Sequence, residues 1–305
     1  MAQRPPRRAV VDPLKPHGFF LEEERSGLGR VVDSAVILLT NKECPWRCLM
    51  CDLWQNTLTE PVPPGAIPLQ IDYALAQLGS RPAQIKLYNS GSFFDPAAIP
   101  FADYPAIADA VSFAEHIVVE AHPRLVGERA LIFRDLLSGS FEVAMGLETV
   151  HPEILPRLNK KFELTHFAQA ADFLRKEGIA VRVFVLVKTP FMNEAEGLEW
   201  AVKSAEFAFA CGAAVVSLIP TRPGNGALDR LMETGEFTPP RLATLERALE
   251  LALNLRQGRV FADTWALEPF SSCSACLEKR RQRLHAINLT QQIQPAVDCP
   301  ACGGL

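Results

Sequence analysis

Seven of the eight cysteines fall in two clusters. The first lies in Thr40-Asn-Lys-Glu-Cys44-Pro-Trp-Arg-Cys48-Leu-Met-Cys51-Asp-Leu-Trp54, where Cys44, Cys48 and Cys51 are spaced C-x3-C-x2-C directly after the apolar run Val36–Leu39. Three thiolates on one loop suit a metal centre. Four cysteines complete the usual iron–sulfur ligand set, so a [4Fe-4S] cube held by three would keep one iron open to another molecule. Zinc would need a fourth ligand, and no further His or Cys lies nearby in sequence. The second cluster, Cys273-Ser-Ala-Cys276 and Cys299-Pro-Ala-Cys302-Gly-Gly, is a C-x2-C pair of pairs. That spacing suits a four-cysteine site for zinc or an auxiliary iron–sulfur cluster. Cys211, beside Gly212, reads as a buried core thiol.

These residues need a scaffold, and the chain supplies an alternation of strands and helices. Strand-like runs cover Val36–Thr40, Ile85–Asn89, Ile117–Ala121, Glu142–Glu148, Ala180–Val187 and Ala214–Pro220. Several are apolar at successive positions, as strands covered on both faces are. Between them, Phe167, Ala170, Ala171 and Leu174 make a helical stripe closed by Gly178. Asn193 and Glu196 form a capping-box start for a helix running to Gly212. Thr238 and Pro239 are placed to open another helix, which ends near Gly258. Further helices are expected at Tyr73–Leu78, Tyr104–Ala114 and Arg129–Leu137. Pro61–Pro68 reads as a proline-rich loop able to cover the first cysteine cluster. Six strand–helix units imply a parallel sheet, too few for a full barrel of ~250 residues. Functional groups then gather at the C-terminal strand ends, where Cys44–Cys51 fall.

The other strand ends also carry chemistry. The second ends in Asn89, Ser90, Gly91 and Ser92, a turn rich in backbone donors. The third ends in Glu120, His122 and Arg124. The fourth brings Glu148 out of an apolar run, and a buried carboxylate needs partners. Lys188 and Arg222 bring positive charge from the fifth and sixth. Gly224-Asn-Gly226 reads as a turn. The basic run Glu278–His285 could meet phosphates or form a solvated helix face.

A C-x3-C-x2-C motif after a first strand resembles the radical S-adenosylmethionine (radical SAM) superfamily. The resemblance implies an α/β fold: a partial (β/α)6 TIM-like barrel, here with a small C-terminal four-cysteine metal module. It implies that Cys44, Cys48 and Cys51 ligate a [4Fe-4S] cluster whose open iron chelates S-adenosyl-L-methionine, and that an electron from the cluster cleaves it to a 5′-deoxyadenosyl radical. Met50 stands where the family usually has an aromatic, and fills the same apolar space. Asn89, Ser90, Gly91 and Ser92 occupy the place of the family's glycine-rich second-strand motif without its Gly-Gly-Glu, so the cofactor-cradling role falls to the backbone. The resemblance suggests that Glu148 contacts the cofactor; Glu120 is a further candidate for holding it, and Lys188 could meet the cofactor carboxylate or an anionic substrate. A reduced flavodoxin or ferredoxin is the implied electron donor. Tyr88–Pro96, Gly146–Thr149, Leu158–Lys161, Lys188–Phe191 and Glu194–Glu196 narrow the resemblance to the radical SAM protein of archaeosine tRNA synthesis and its uncharacterised bacterial relatives, similar in turn to the catalytic subunit of elongator. A tRNA or other nucleotide-containing substrate is the expectation that follows.

Composition is compatible with that reading. The chain has 305 residues, 48% hydrophobic and 22% charged, with a formal net charge of −4, ordinary for a globular protein with a sizeable core. The charge gives no global nucleic-acid signature. No apolar run approaches the ~20 residues of a membrane helix, and Met1–Arg8 is followed by no signal-type apolar segment. Clustered cysteines without a secretory signal argue for metal in the cytoplasm rather than disulfides. The expected organisation is a flexible lead-in over 1–33, the partial barrel over 34–258 and the four-cysteine module over 259–305. The competing reading is a zinc-ribbon nucleic-acid-binding protein with a catalytically idle barrel, and a third is a two-cluster electron carrier.

Overall fold

The computed structural model describes residues 9–303. The expectation for the first eight residues lies outside them. One sheet of eight strands runs in sequence order. Its strands are β1 (Gly18–Arg25), β2 (Val31–Leu38), β3 (Gln84–Tyr88), β4 (His116–Ala121), β5 (Ser140–Glu148), β6 (Ala180–Val187), β7 (Val215–Pro220) and β8 (Arg259–Ala262). β1 pairs antiparallel with β2, and all later neighbours are parallel. The connections carry α1 (Ala66–Leu78), α2 (Tyr104–Ala110), α3 (Glu128–Leu136), α4 (Ile154–Arg157), α5 (Leu164–Lys176), α6 (Glu194–Ala210), α7 (Ala227–Glu233) and α8 (Leu242–Asn254), and α9 (Ser274–Thr290) follows β8.

The six expected strands are β2 to β7. Two more flank them. β1 lies within the supposed lead-in, and β8 within the supposed tail module. Strand β1 was masked by its charges: Glu22 and Glu24 point inward and find cations on distant strands. Strand β8 has four residues, too few to show a pattern. Two helix starts also differ from expectation. α1 begins at Ala66, inside the proline-rich stretch, after Asp103 accepts the Gly65 N–H at 2.9 Å. α8 begins at Leu242, because Thr238 and Pro239 are engaged by Lys188. The capping box at Asn193 is present, with reciprocal bonds of 2.8 and 3.0 Å to Glu196.

Alternation divides the sheet's two faces. Ile37, Ile85, Val119, Val143, Val183 and Leu218 join helix residues such as Phe133, Phe167 and Leu245 in one core. Their neighbours along each strand face inward, and the inward face is concave. β1 and β6 stand five positions apart, roughly 24 Å in a flat sheet, yet Arg182 Nη2 lies 2.6 Å from Glu24 Oε1. Only a curled sheet permits this. Lys86 also pairs with Glu24 and with Glu22, and Arg182 with Glu142 at 2.5 Å. Burial alone would raise the Glu24 carboxyl, but Arg182 and Lys86 hold it well below its usual range. These pairs fill the end of the barrel opposite the parallel strands' C-termini.

Helix α9 packs on both sheet edges, β1 and β8. Arg25 of β1 donates to Leu289 O at 3.2 Å. On the other side, Asn288 gives its amide to Ala262 O and takes the Ala262 N–H, at 2.8 and 2.9 Å. Gln291 does the same for Val260 at 2.9 and 2.8 Å. Two side-chain amides thus take the part of a ninth strand and satisfy an edge that would otherwise be open to other chains.

Candidate radical site

The cysteine loop follows β2 and is braced from two sides. Asn225, after β7, donates to Leu49 O at 2.8 Å and to Cys51 O at 3.3 Å. The segment 158–161, after α4, holds the other side: Asn159 donates to Arg47 O at 2.7 Å, and Leu49 N–H to Leu158 O at 2.9 Å. Trp46, between the first two cysteines, stacks on His122 with centroids 3.8 Å apart and planes 4° apart. His122 Nε2 lies 2.9 Å from Lys160 O. Burial, reinforced by the Lys160 charge, lowers the His122 imidazole to about 4. Burial raises the Cys44 and Cys51 thiols to about 12, and the neighbouring Cys48 adds to both.

The turn after β3 closes against this loop. A Cβ on Gly91 would sit 3.2 Å from the Cys44 Cβ. Glu120, on β4, accepts the N–H of Asn89 at 2.5 Å and of Gly91 at 3.3 Å. Burial pushes its carboxyl up to about 7 against the pull of those backbone donors. Glu120 therefore shapes the Asn89–Ser92 turn from beneath. The Asn89 side chain is fully buried with neither amide atom partnered, and the Ser92 and Thr40 hydroxyls are likewise buried and unpartnered. Native interiors rarely leave such groups orphaned, and an absent ligand is one standard explanation.

Glu148 ends β5 beyond a register irregularity between Gly146 and Glu148, the kind of bulge that re-aims a side chain. It meets Lys160 Nζ at 2.5 Å, and the same ammonium reaches Gly146 O at 2.5 Å. Gly146 makes room: a Cβ there would lie 2.2 Å from Glu148 Oε1 and 2.3 Å from Lys160 Nζ. Lys160 also feels the charges of Cys48 and Cys44. It carried no sequence signal as a site residue, yet it joins the cysteine loop to the β5 carboxylate. Ser90, Glu148 and Lys188 adopt positive φ of 55°, 68° and 56°. A side chain in this region costs of order 1–3 kcal/mol, and such strain concentrates at functional sites.

Lys188 departs from expectation. Its ammonium reaches Glu194 Oε2 at 2.8 Å, Thr238 Oγ1 at 2.6 Å and Pro239 O at 3.3 Å. Three acceptors match its three donors, so it tethers α6 to the approach of α8 rather than facing a ligand. Arg124 is exposed and donates to Lys161 O. The three arginines of the basic run of α9 are paired within the protein: Arg280 with Glu246, Arg283 with Glu250, and Arg281 with Glu268 and Glu278.

In the tail, the Sγ atoms of Cys273, Cys276, Cys299 and Cys302 all lie within 4.8 Å of one another. Cys273 and Cys299 are 3.9 Å apart, Cys276 and Cys302 3.7 Å. A tetrahedral ion with ~2.3 Å bonds to sulfur requires an edge of roughly 3.8 Å. Among the described residues no other three His, Cys, Asp or Glu ligand atoms gather so closely, Cys44, Cys48 and Cys51 included. The residues present fit both groups: three thiols and orphaned polar atoms at the strand ends, and a four-thiol pocket in the tail.

This curled sheet with a cysteine loop after its first parallel strand is the fold of radical SAM enzymes. The chain matches the archaeal Methanocaldococcus infernus Elp3 with TM-score 0.53 and 16% identity, covering 73% of this chain and 59% of that one. It matches methylornithine synthase (PylB) with TM-score 0.55 and 14% identity, covering 79% and 68%. In sequence it is similar to the archaeosine synthase subunit beta of Methanosarcina acetivorans, 27% identical over 71% of this chain and 66% of the relative. It is also similar to that of Thermococcus kodakarensis, 30% identical over 53% and 52%. The match thus spans between half and two thirds of these two relatives. A Methanocaldococcus jannaschii protein, MJ0550, is 22% identical over 94% of this chain and 84% of its own length. No family model matches the chain. No described helix is long and apolar enough to cross a membrane.

Proposed function

We propose that this protein is a radical SAM enzyme that acts on a nucleobase-bearing substrate, with a tRNA nucleotide as the first candidate. Cys44, Cys48 and Cys51 would hold a [4Fe-4S] cluster, which when reduced supplies the electron that cleaves S-adenosylmethionine to a 5′-deoxyadenosyl radical. The Asn89–Ser92 turn would receive the cofactor through its backbone and the unpartnered Asn89 amide. Glu120 positions that turn, and Lys160, paired with Glu148, acts electrostatically on both Glu120 and the thiols. The observation that carries the reading is the Gly91–Cys44 approach: a turn held open by a buried carboxylate, with orphaned polar groups, lies in contact with the cysteine loop. An electron carrier would have no use for that turn. The likeness to archaeosine synthase subunit beta supports the substrate class. For the tail, the 3.7 and 3.9 Å sulfur separations favour zinc over a cube, which would spread its thiolates wider.

The test is anaerobic purification with iron, sulfide and zinc analysis, followed by dithionite and S-adenosylmethionine. About four irons and one zinc per chain with 5′-deoxyadenosine formed is the expected result. About eight irons would move the tail to an auxiliary cluster. Zinc alone, with no iron after reconstitution and no cleavage, would overturn the radical reading in favour of a metal-binding module with an idle barrel. Reduced flavodoxin or ferredoxin would replace dithionite as the donor.

A further inference from the structure

Between β7, β8 and β1 the barrel mouth carries a second constellation, facing the turn and carboxylates of β3 to β5 across the concave face. Asp263 follows β8 and Arg222 follows β7. Arg222 Nη1 lies 2.8 Å from Asp263 Oδ2, and its Nη2 donates to Trp265 O at 2.5 Å. Arg222 also lies over the Phe270 ring at 5.4 Å. Asp263 Oδ1 accepts the Trp265 N–H at 2.9 Å. Trp265 is thus pinned at both backbone groups by the same ion pair. Its ring meets Phe20 on the inward face of β1, centroids 4.4 Å apart, and closes the seam between the sheet's two edges. Despite this, 53% of Trp265 is exposed. The charges of this group reach the cysteine loop, since Arg222 acts on Asp52 beside Cys51, and reach the lumen, since Glu22 acts on Asp263.

A large aromatic with a fixed backbone and about half its surface exposed is unusual on a surface that has no need of it. Here Phe20 braces the ring at a tilt of 53°. Beside it stands a carboxylate whose two oxygens each spend one lone pair internally and keep further acceptor capacity. That pairing recognises one chemistry: a flat heteroaromatic ring that stacks on the indole and presents N–H donors at its edge. Stacking on an aromatic tolerates any base, and a carboxylate selects for donors over acceptors.

We propose that Trp265 and Asp263 form the substrate-recognition edge, binding a planar nucleobase with Trp265 as stacking platform and Asp263 as acceptor for ring and exocyclic N–H groups. This rests on, and sharpens, the nucleobase reading above. Arg222 is a positioning residue: it holds the carboxylate and the Trp265 carbonyl. A carboxylate acceptor favours a guanine-type edge, which offers two adjacent N–H donors, over an adenine-type edge with one.

The experiment is a fluorescence titration of the metal-loaded protein with guanosine 5′-monophosphate, adenosine 5′-monophosphate and ribose 5-phosphate, in the absence of reductant. Ring stacking on Trp265 predicts quenching by the nucleotides, stronger affinity for the guanosine form, and no response to ribose 5-phosphate. Calorimetric titration of Trp265→Ala should show affinity for guanosine 5′-monophosphate down by on the order of tenfold to a hundredfold, with Trp265→Phe within a few-fold of wild type. Asp263→Asn keeps the backbone acceptor and should erase the preference for guanosine over adenosine. Equal response to ribose 5-phosphate, or unchanged affinity in Trp265→Ala, overturns the proposal. Cleavage of S-adenosylmethionine by the wild type is measured separately. Cleavage without nucleotide binding sinks this inference and leaves the radical reading standing, whereas binding without cleavage does the reverse.

Discussion

Lys160 Nζ lies 2.5 Å from Glu148 Oε1, with both side chains about a tenth exposed. The pair couples the segment that braces the cysteine loop to the end of β5. Removing one member of a buried pair leaves an uncompensated charge, which costs about 3–5 kcal/mol. Lys160→Met should therefore lower stability by a few kcal/mol in urea unfolding. It should also lower bound iron, because a positive charge beside Cys44 and Cys48 favours their thiolate forms. Gly146→Ala should reproduce both effects through sterics alone. Wild-type unfolding midpoints in both variants would remove the pair from the site's architecture.

Glu120 makes stability depend on pH. Burial raises its folded pKa to about 7, above the ordinary 4.5 of the unfolded chain. The folded state therefore binds the extra proton between these values, and stability falls as pH rises from about 4.5 to 7. The contribution is present below that window and lost above it, with a ceiling of roughly 3 kcal/mol at ~1.4 kcal/mol per unit. Glu120→Gln stays neutral and keeps an acceptor for the Asn89 N–H. Its unfolding free energy should lack this slope, measured by denaturant titration across the window. A wild-type slope in the variant would assign the dependence to another group.

Trp46 lies flat on His122, and the contact holds the middle of the cysteine loop against β4. Stacked aromatic pairs contribute about 0.5–1.5 kcal/mol beyond their buried area. Trp46→Leu retains apolar bulk but not the stack. It should leave global stability within about 1.5 kcal/mol of wild type while the reconstituted cluster bleaches faster in air. Absorbance decay on exposure to oxygen reads this, and an unchanged rate would reduce Trp46 to ordinary packing.

The sequence made β2 to β7 readable because both faces of those strands are covered, so Val181 to Val187 is nearly continuous in apolar residues. β1 was unreadable because Glu22 and Glu24 look solvated until Lys86 and Arg182, distant in sequence, arrive on the inner face. Lys160 was hidden too: in Leu158-Asn-Lys-Lys161 a lysine reads as surface, and only the return of the segment after α4 to the end of β5 brings it to Glu148. The strand-end carboxylates were legible because Glu120 and Glu148 interrupt apolar strands, and both are partnered there. The partners of Lys188 were not legible, because its acceptors come from α6 and the approach to α8. In the tail, the metal spacing was plain, but the burial of Arg280 and Arg283 against α8 was not.

The tail's thiols and the barrel's edge are joined by one helix. Cys276 lies in the first turn of α9, and Asn288 and Gln291 lie at its far end, bonded to β8. A metal that fixes the start of α9 therefore also holds the strap across the sheet's open edge. Metal binding to the folded state alone is folding free energy. Treatment with a strong zinc chelator should lower the thermal midpoint by several degrees, given a loss of a few kcal/mol over a chain of this size. Asn288→Leu should do part of the same with the metal still bound, since it strips partners from the Ala262 N–H and C=O at about 1–3 kcal/mol per buried group. Hydrogen exchange at Val260 and Ala262 separates the causes: both treatments should speed it, with β3 to β5 unaffected. Chelation that leaves β8 protected would mean that α9 holds the edge without help from the metal.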